Sequence, residues 1–281
     1  MAESTLATAT GATSPPGYGR LAFGLSVIAL AVVALAWRDF DLGQPVPRAF
    51  PDRAALALAV DGFMLAAGVA VLWRRTAVAG GAALAAYYAL VVVVLMYGRQ
   101  ALIRPAVYGV YSGAAEQLAL ALAGLLVFAR TANLEAAVAA RLVRASAAAF
   151  GVCAILFGGA HFVYMNLTAP LVPKWLPPSQ TFWGYATGLA QIAAGVALLT
   201  GVRARLAAVL LTIMYAAFTP LVHLPMLLAD PASRTNWSET MENLALTGAA
   251  WVVAESLARR RGAAVRTPSS EADAPGSPGP P

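Results

Sequence analysis

Eight mainly apolar stretches, each about 18 to 22 residues long, follow one another along the chain. They lie at about 20–37, 54–73, 76–97, 113–130, 146–167, 180–200, 204–225 and 239–257. A helix needs about 20 such residues to cross a hydrocarbon layer of roughly 30 Å. In lipid the backbone must satisfy its hydrogen bonds within the segment, so runs that are apolar all round are expected as transmembrane helices. Charged residues make up only 11% of the chain, against roughly 25% in a soluble domain. The expected fold class is therefore all-α integral membrane, with eight transmembrane helices. A net charge of +6 does not point to nucleic acid, because the arginines sit at the ends of apolar runs and form no basic face.

The single cysteine, Cys153, lies inside an apolar run. That excludes an intramolecular disulfide, a dithiol relay and a four-thiolate metal site. Its expected role is that of a small apolar packing residue.

An internal repeat organises these stretches. Val46-Pro47-Arg48-Ala49-Phe50-Pro51 recurs as Val172-Pro173-Lys174-Trp175-Leu176-Pro177, displaced by 126. Tyr111-Ser112 followed by Glu116-Gln117-Leu118-Ala119-Leu120 recurs at the same displacement as Trp237-Ser238 followed by Glu242-Asn243-Leu244-Ala245-Leu246. Ala67-Gly68-Val69-Ala70 matches Ala194-Gly195-Val196-Ala197, and Phe23-Gly24 matches Phe150-Gly151, both displaced by 127. The pattern reads as two copies of a four-helix unit. Four is even, so the two bundles form a parallel repeat, unlike the inverted repeats of many transporters.

The resulting division is a disordered leader over 1–19, a first four-helix repeat over 20–130 and a cytoplasmic linker over 131–145. A second repeat over 146–258 is followed by a basic, then Pro/Ser/Gly-rich disordered tail over 259–281. The first apolar stretch has a repeat partner at 146–167 and so is expected to be retained rather than cleaved as a signal peptide.

Basic residues near helix ends set the orientation. With the N-terminus inside, the inner face holds Arg20, Arg74, Arg75, Arg130, Arg141, Arg144, Arg203, Arg205 and Arg259 to Arg261. The outer face holds a smaller group (Arg38, Arg48, Arg53, Arg99, Arg104, Lys174, Arg234), partly interleaved with Asp39, Asp41 and Asp52. Both termini are thus expected on the cytoplasmic side of an inner-membrane-type protein.

Ionisable residues inside spans are costly and raise functional hypotheses. Asp61, Glu116, His161, His223 and Glu242 qualify, and Gln117, Gln191 and Asn243 add uncharged polarity. His161 lies roughly 22 Å up the fifth helix and His223 roughly 28 Å up the seventh, while Glu242 lies within about one turn of the outer end of the eighth. With Asn243, Trp183 and Tyr185, these residues make a candidate ligand site in the outer third of the second repeat. The first repeat carries Ala34 and Met96 at the histidine positions but keeps Glu116 and Gln117 opposite Glu242 and Asn243, which marks that pair as structural. Simpler roles compete: helix-end hydrogen bonding for the glutamates, solvation at the outer interface for Asp61, and interhelical bonding for the histidines. Two His and one carboxylate drawn from three helices fix no ligand spacing, so neither a metal nor haem is expected. A His–Glu pair could handle protons for an amphipathic ligand.

From about Phe150 to Ala254 the chain resembles the DoxX family of small bacterial membrane proteins. The resemblance is carried by Phe157-Gly158-Gly159-Ala160-His161-Phe162, by Val172-Pro173-Lys174-Trp175-Leu176-Pro177-Pro178 and by Gly188 with Gly195. It continues in Arg203-x-Arg205-Leu206-Ala207-Ala208, Leu221-Val222-His223-Leu224-Pro225 and Asn236-Trp237 running into Glu242-Asn243-Leu244-Ala245-Leu246. It implies a four-helix bundle and a quinone-linked role, the family being named for a subunit similar to parts of a thiosulfate:quinone oxidoreductase. It carries over no catalytic residue.

The leading expectation is a redox-associated accessory subunit without independent catalytic activity. It would bind a quinone-like ligand near the outer face of helices 5 to 8, with the lipid bilayer and a membrane redox protein as partners. The alternatives are a small-solute or lipid carrier, or a membrane scaffold without a ligand site.

Overall fold

The computed structural model of the chain describes residues 17–264, so most of the leader and the tail beyond Ala264 lie outside the described residues. It is helical throughout, with no strand among the described residues. In chain order the long helices are α1 (Tyr18–Trp37), α2 (Arg53–Leu72), α3 (Ala77–Ile103) and α4 (Tyr108–Thr131). They are followed by α5 (Ala136–Val163), α6 (Gln180–Thr200), α7 (Ala204–Ala229) and α8 (Arg234–Ala264). Two short helical turns, Met165–Thr168 and Ala169–Leu171, lie between α5 and α6. Helices α1 to α7 are each long and apolar enough to cross a membrane.

Three boundaries differ from the sequence expectation. The tail expected from residue 259 begins as the last part of α8, whose helix runs to Ala264. Tyr18 and Gly19, assigned to the leader, already belong to α1. Most of the linker expected over 131–145 is the first part of α5, which begins at Ala136. Its Ala-rich sequence, interrupted by Arg141 and Arg144, is made of strong helix formers, so basic residues there did not mark a break.

Helix α1 packs on α2 and α8, and α5 packs on α6 and α4. Helix α3 joins α2 to α4, α7 joins α6 to α8, and α4 and α8 touch each other. The eight helices therefore form a closed circuit pinched at α4 and α8, with α1 to α3 in one lobe and α5 to α7 in the other.

Between lipid-exposed helices there is no hydrophobic gain from contact, so small residues that let backbones approach do much of the packing. A Cβ on Gly151 would stand 2.6 Å from the Gly195 carbonyl oxygen, and one on Gly158 would stand 2.4 Å from that of Gly188. Those two pairs run in opposite directions along α5 and α6, which are antiparallel.

Ion pairs fasten both ends of the circuit. Arg130 on α4 meets Glu255 on α8 at 2.9 Å, and Glu255 also accepts from the Gly19 amide. At the opposite end, Asp39 meets Arg53 at 2.7 Å and Arg234 at 2.9 Å, tying the loop after α1 to the start of α8. Partial burial pushes the Asp39 carboxyl up, but the Arg234 hydrogen bond, the Phe40 amide and the two guanidinium charges together hold it below the usual range.

Candidate functional site

The second lobe holds a half-open cavity of about 540 Å³. Helix α5 contributes Phe157, Ala160 and His161, α6 contributes Trp183, Thr187 and Gln191, and α7 contributes Tyr215, Phe218 and His223 among others. Glu116 and Ser112 reach it from α4, and Asn243 and Leu246 reach it from α8. The segment from Tyr164 to Leu176 covers the end nearest the short turns, with Leu171, Val172 and Pro173 on the wall. The size and the mainly apolar wall with a few convergent polar groups match what small-ligand sites require.

His161 is held by a network that fixes its tautomer. Its Nδ1 lies 3.0 Å from the carbonyl oxygen of Gly184, which can only accept, so Nδ1 carries the proton. Its Nε2 is then the acceptor for the side-chain amide nitrogen of Gln191 at 3.3 Å. Thr187 completes the arrangement, with its hydroxyl 3.2 Å from Nδ1 and donating to the Trp183 carbonyl at 2.7 Å. This orientation leaves the Gln191 Oε1 without a partner, although Gln191 is only 2% exposed.

Two more lining residues carry buried atoms with no hydrogen-bond partner among the described residues: the Tyr215 hydroxyl and the His223 Nδ1. An unpaired buried polar group costs about 1–3 kcal/mol. His223 belongs to a wide-turn segment of α7, Thr219–His223, in which hydrogen bonds skip to the fifth residue. Pro220 and Pro225, which offer no N–H, lie within and just beyond it. Such turns are frequent at functional sites.

Asn243 has a supporting role. Its amide donates to the Tyr215 carbonyl at 3.0 Å and to the Thr219 hydroxyl at 2.9 Å, locking α8 to the start of the wide turn.

The cavity thus brings together His161, His223, Asn243 and Trp183, but not all of the residues selected from sequence. Glu242 faces the first lobe, where it accepts from the Gln117 amide at 2.8 Å. It lies about 12 Å into α8, since that helix begins at Arg234 rather than near 239. Tyr185 is 44% exposed on the outside of α6, its ring centroid 5.3 Å from that of Phe162. Conversely Glu116, paired with Gln117 as structural, lines the cavity, and it is absent from the three ion pairs of the described residues. Neither glutamate caps its helix, each standing about two turns beyond the start. Asp61, a candidate for solvation, is 0% exposed, with both carboxylate oxygens unpartnered among the described residues.

Sequence reading passed over Tyr215. Its signal was available: Tyr88 precedes it by 127, the displacement of the repeat, and both tyrosines are buried.

In the first lobe the corresponding space is occupied by the chain itself. Phe40, Asp41, Gly43 and Gln44 are buried. The Gln44 side chain accepts from the Tyr87 hydroxyl at 2.8 Å, and the Gly43 carbonyl accepts from the Tyr97 hydroxyl at 3.1 Å. The Gly43 amide donates to Asp41 at 3.0 Å. Gly43 fits so closely that a Cβ there would stand 2.3 Å from the Gln117 amide nitrogen and 2.9 Å from the Glu242 Oε1. Burial pushes the Asp41 carboxyl up to about 6 against the opposing pull of the Gly43 and Leu42 amides and of Arg234.

Residues 150–260 match the family model described as Domain of unknown function (DUF8561), which covers the second lobe and α8 but not the first lobe. No curated protein and no solved structure matches the chain.

Proposed function

We propose that the chain is a multi-pass inner-membrane protein whose second lobe binds a quinone-like ligand from the lipid phase, as an accessory to a membrane redox partner. The observation that carries this reading is the pocket of about 540 Å³, whose mainly apolar wall gathers Glu116, His161, Gln191, His223 and Asn243. An amphipathic ring fits an apolar wall with a few polar atoms grouped inside it. The resemblance to DoxX proteins over Phe150 to Ala254 falls on the helices that build this cavity, and the quinone link comes from that resemblance.

The same proposal takes α1 to α4 and α5 to α8 as two copies of one unit, with eight spans and both termini cytoplasmic. The close contact of Gly24 with the Gly68 carbonyl recurs 127 residues on as Gly151 with Gly195. Each unit's first helix packs on the other unit's fourth, and wide helical turns occur in the third helix of both, at Tyr87–Tyr97 and Thr219–His223. A carrier with its passage between the units is less favoured. Helices α4 and α8 pack on each other, and Ala119, Ala123, Ala245 and Ala249 on them are fully buried.

The test is the detergent-purified full chain examined by native mass spectrometry, with organic extraction of what co-purifies. A bound quinone-class molecule, lost in His223→Ala while the variant stays monodisperse, is the expected result. Neither a co-purifying molecule nor uptake of an added short-chain quinone or hydroquinone would sink the reading.

A further inference from the structure

The repeat supplies a template for what the pocket lacks. In the first lobe Phe40, Asp41, Gly43 and Gln44 form a buried plug. The Gly43 carbonyl accepts from the Tyr97 hydroxyl at 3.1 Å, and the Gly43 amide donates to Asp41 at 3.0 Å. Gly43 lies against the hydrogen-bonded pair of Gln117 and Glu242, where a Cβ on it would stand 2.9 Å from the Glu242 Oε1.

The second unit has lost the plug. Val46-Pro47 at the end of that loop recurs as Val172-Pro173, so Asp41, Gly43 and Gln44 correspond to Leu167, Ala169 and Pro170. Leu167 offers no carboxylate, Pro170 offers no carboxamide, and Ala169 adds the Cβ that Gly43 lacks. Leu167 and Pro170 are exposed, and the segment forms the two short helical turns instead of folding inward.

The receiving side has been kept. Tyr97 and His223 end the wide turns of α3 and α7, and each is followed by six residues of ordinary helix, which pairs His223 with Tyr97 rather than Met96. Asn243 stands for Gln117 and Glu116 for Glu242. His223, Asn243 and Glu116 all line the pocket. The bond between the last two is not repeated, because the Asn243 amide spends both hydrogens on the Tyr215 carbonyl and the Thr219 hydroxyl. Glu116 therefore lacks the partner that Glu242 has, and the wall brings it no lysine or arginine. With the His223 Nδ1 closed off, Nε2 is the nitrogen left to take the part of the Tyr97 hydroxyl.

Resting on the two-unit plan and on the pocket as a ligand site, we infer that the pocket takes an uncharged, apolar carboxamide in the place of the plug. Its carbonyl accepts from the His223 Nε2 as that of Gly43 accepts from Tyr97. Its N–H donates to Glu116, since Leu167 replaces the aspartate that receives the Gly43 amide. Phe157, Trp183, Phe218 and Leu221 surround the apolar body. A carbonyl at His223 is the feature shared with the ligand proposed above; the donor beside it is new.

The test measures equilibrium binding to the full chain in nanodiscs, with empty nanodiscs subtracted. The probes are N-butylbenzamide, its N-methyl derivative, the ketone hexanophenone and the hydrocarbon hexylbenzene. A site built to receive an N–H rejects an analogue without one, so N-butylbenzamide is expected to bind about ten-fold more tightly than the ketone or the N-methyl amide. Glu116→Leu should bring amide and ketone within about two-fold of each other, whereas His223→Ala should weaken both by about ten-fold. An unchanged melting temperature shows that each variant stays folded, and the ratio in the parent chain decides without either. Ketone or N-methyl amide binding as tightly as N-butylbenzamide overturns the carboxamide and leaves a ligand site. So does an amide advantage that survives Glu116→Leu, or binding that His223→Ala leaves intact. Binding of none of the four overturns the inference; if a short-chain quinone also fails to bind, the ligand reading falls with it.

Discussion

The two lobes share a helical plan and differ in what fills them. In the first, Phe40, Asp41, Gly43 and Gln44 fold inward, and Gln44 and Gly43 satisfy the Tyr87 and Tyr97 hydroxyls. In the second, the segment with Leu171 and Pro173 stays at the wall, and the buried polar atoms of Gln191, Tyr215 and His223 remain unsatisfied. Unpartnered buried atoms occur in both lobes, so what separates them is room: the first is filled by its own chain, and the second keeps a pocket of about 540 Å³. The glutamates sharpen the contrast, because each faces the lobe on the other side of the α4–α8 junction: Glu242 meets the plug and Glu116 meets the cavity.

The largest expected effect strikes the frame of the hollow lobe. Gly158→Leu forces a side chain against the Gly188 carbonyl and Ile192, so α5 and α6 must separate. Overpacking of this kind costs about 1–3 kcal/mol or more. We expect a fall in apparent melting temperature of about 10 °C or loss of the monodisperse species, seen by scanning fluorimetry and gel filtration. Gly62→Leu, where a Cβ meets nothing within 4 Å, serves as the control. Equal stability of the two variants would refute the close-approach account.

Next comes the plug. Gly43→Ala places a methyl group against the side-chain ends of Gln117 and Glu242, which must swing away and give up the hydrogen bond between them. The melting temperature should drop by several degrees while binding of a hydroquinone probe in the second lobe stays within about two-fold of the parent chain, since distant, independent sites act separately. A large loss of binding would mean that the lobes communicate through α4 and α8. In the opposite sense, His223→Ala should weaken binding by about ten-fold with little change in melting temperature. Tyr185→Ala, on the outer face, should leave binding unchanged.

Element positions were legible because each span is a long apolar run, and the α6 bounds, Gln180–Thr200, agree with the apolar stretch residue for residue. The grouping of His161, His223, Asn243 and Trp183 followed from their common depth, which the rise per residue supplies. Which way a side chain points around its helix was harder to read. Glu242 and Glu116 sit at matching positions of α8 and α4, and their exchange across the junction depends on α1 packing on α8 and α5 on α4. No periodicity records that partner choice, since helices apolar all round carry little facial asymmetry. The burial of Asp61 escaped for a related reason. Its depth along α2 suggested solvation, whereas the inward loop after α1 is what covers that end of the lobe.

The smallest effect concerns pH, and it separates the plug from the cavity. Asp41 is almost fully buried, and burial lifts its carboxyl to about 6 from an ordinary value near 3.8. A carboxyl whose folded value lies above its unfolded one makes the folded state hold the extra proton. Its stabilising contribution is complete below the unfolded value and is lost as pH rises through about 6. The groups around it are Arg234 at the start of α8, Glu242 farther along that helix, Glu116 on α4, Asp61 on α2 and Asp39 in its own loop. Between about pH 4 and pH 7 the melting temperature should therefore fall by a few degrees through this group, measured in nanodiscs by scanning fluorimetry. Asp41→Asn keeps the side-chain oxygen that accepts from Gly43 and removes the titration, so it should flatten that slope. If Asp41→Asn left the slope unchanged while Glu242→Gln abolished it, the proton would belong to the α8 carboxylate, and the plug would be held to α8 by that group rather than by its own aspartate.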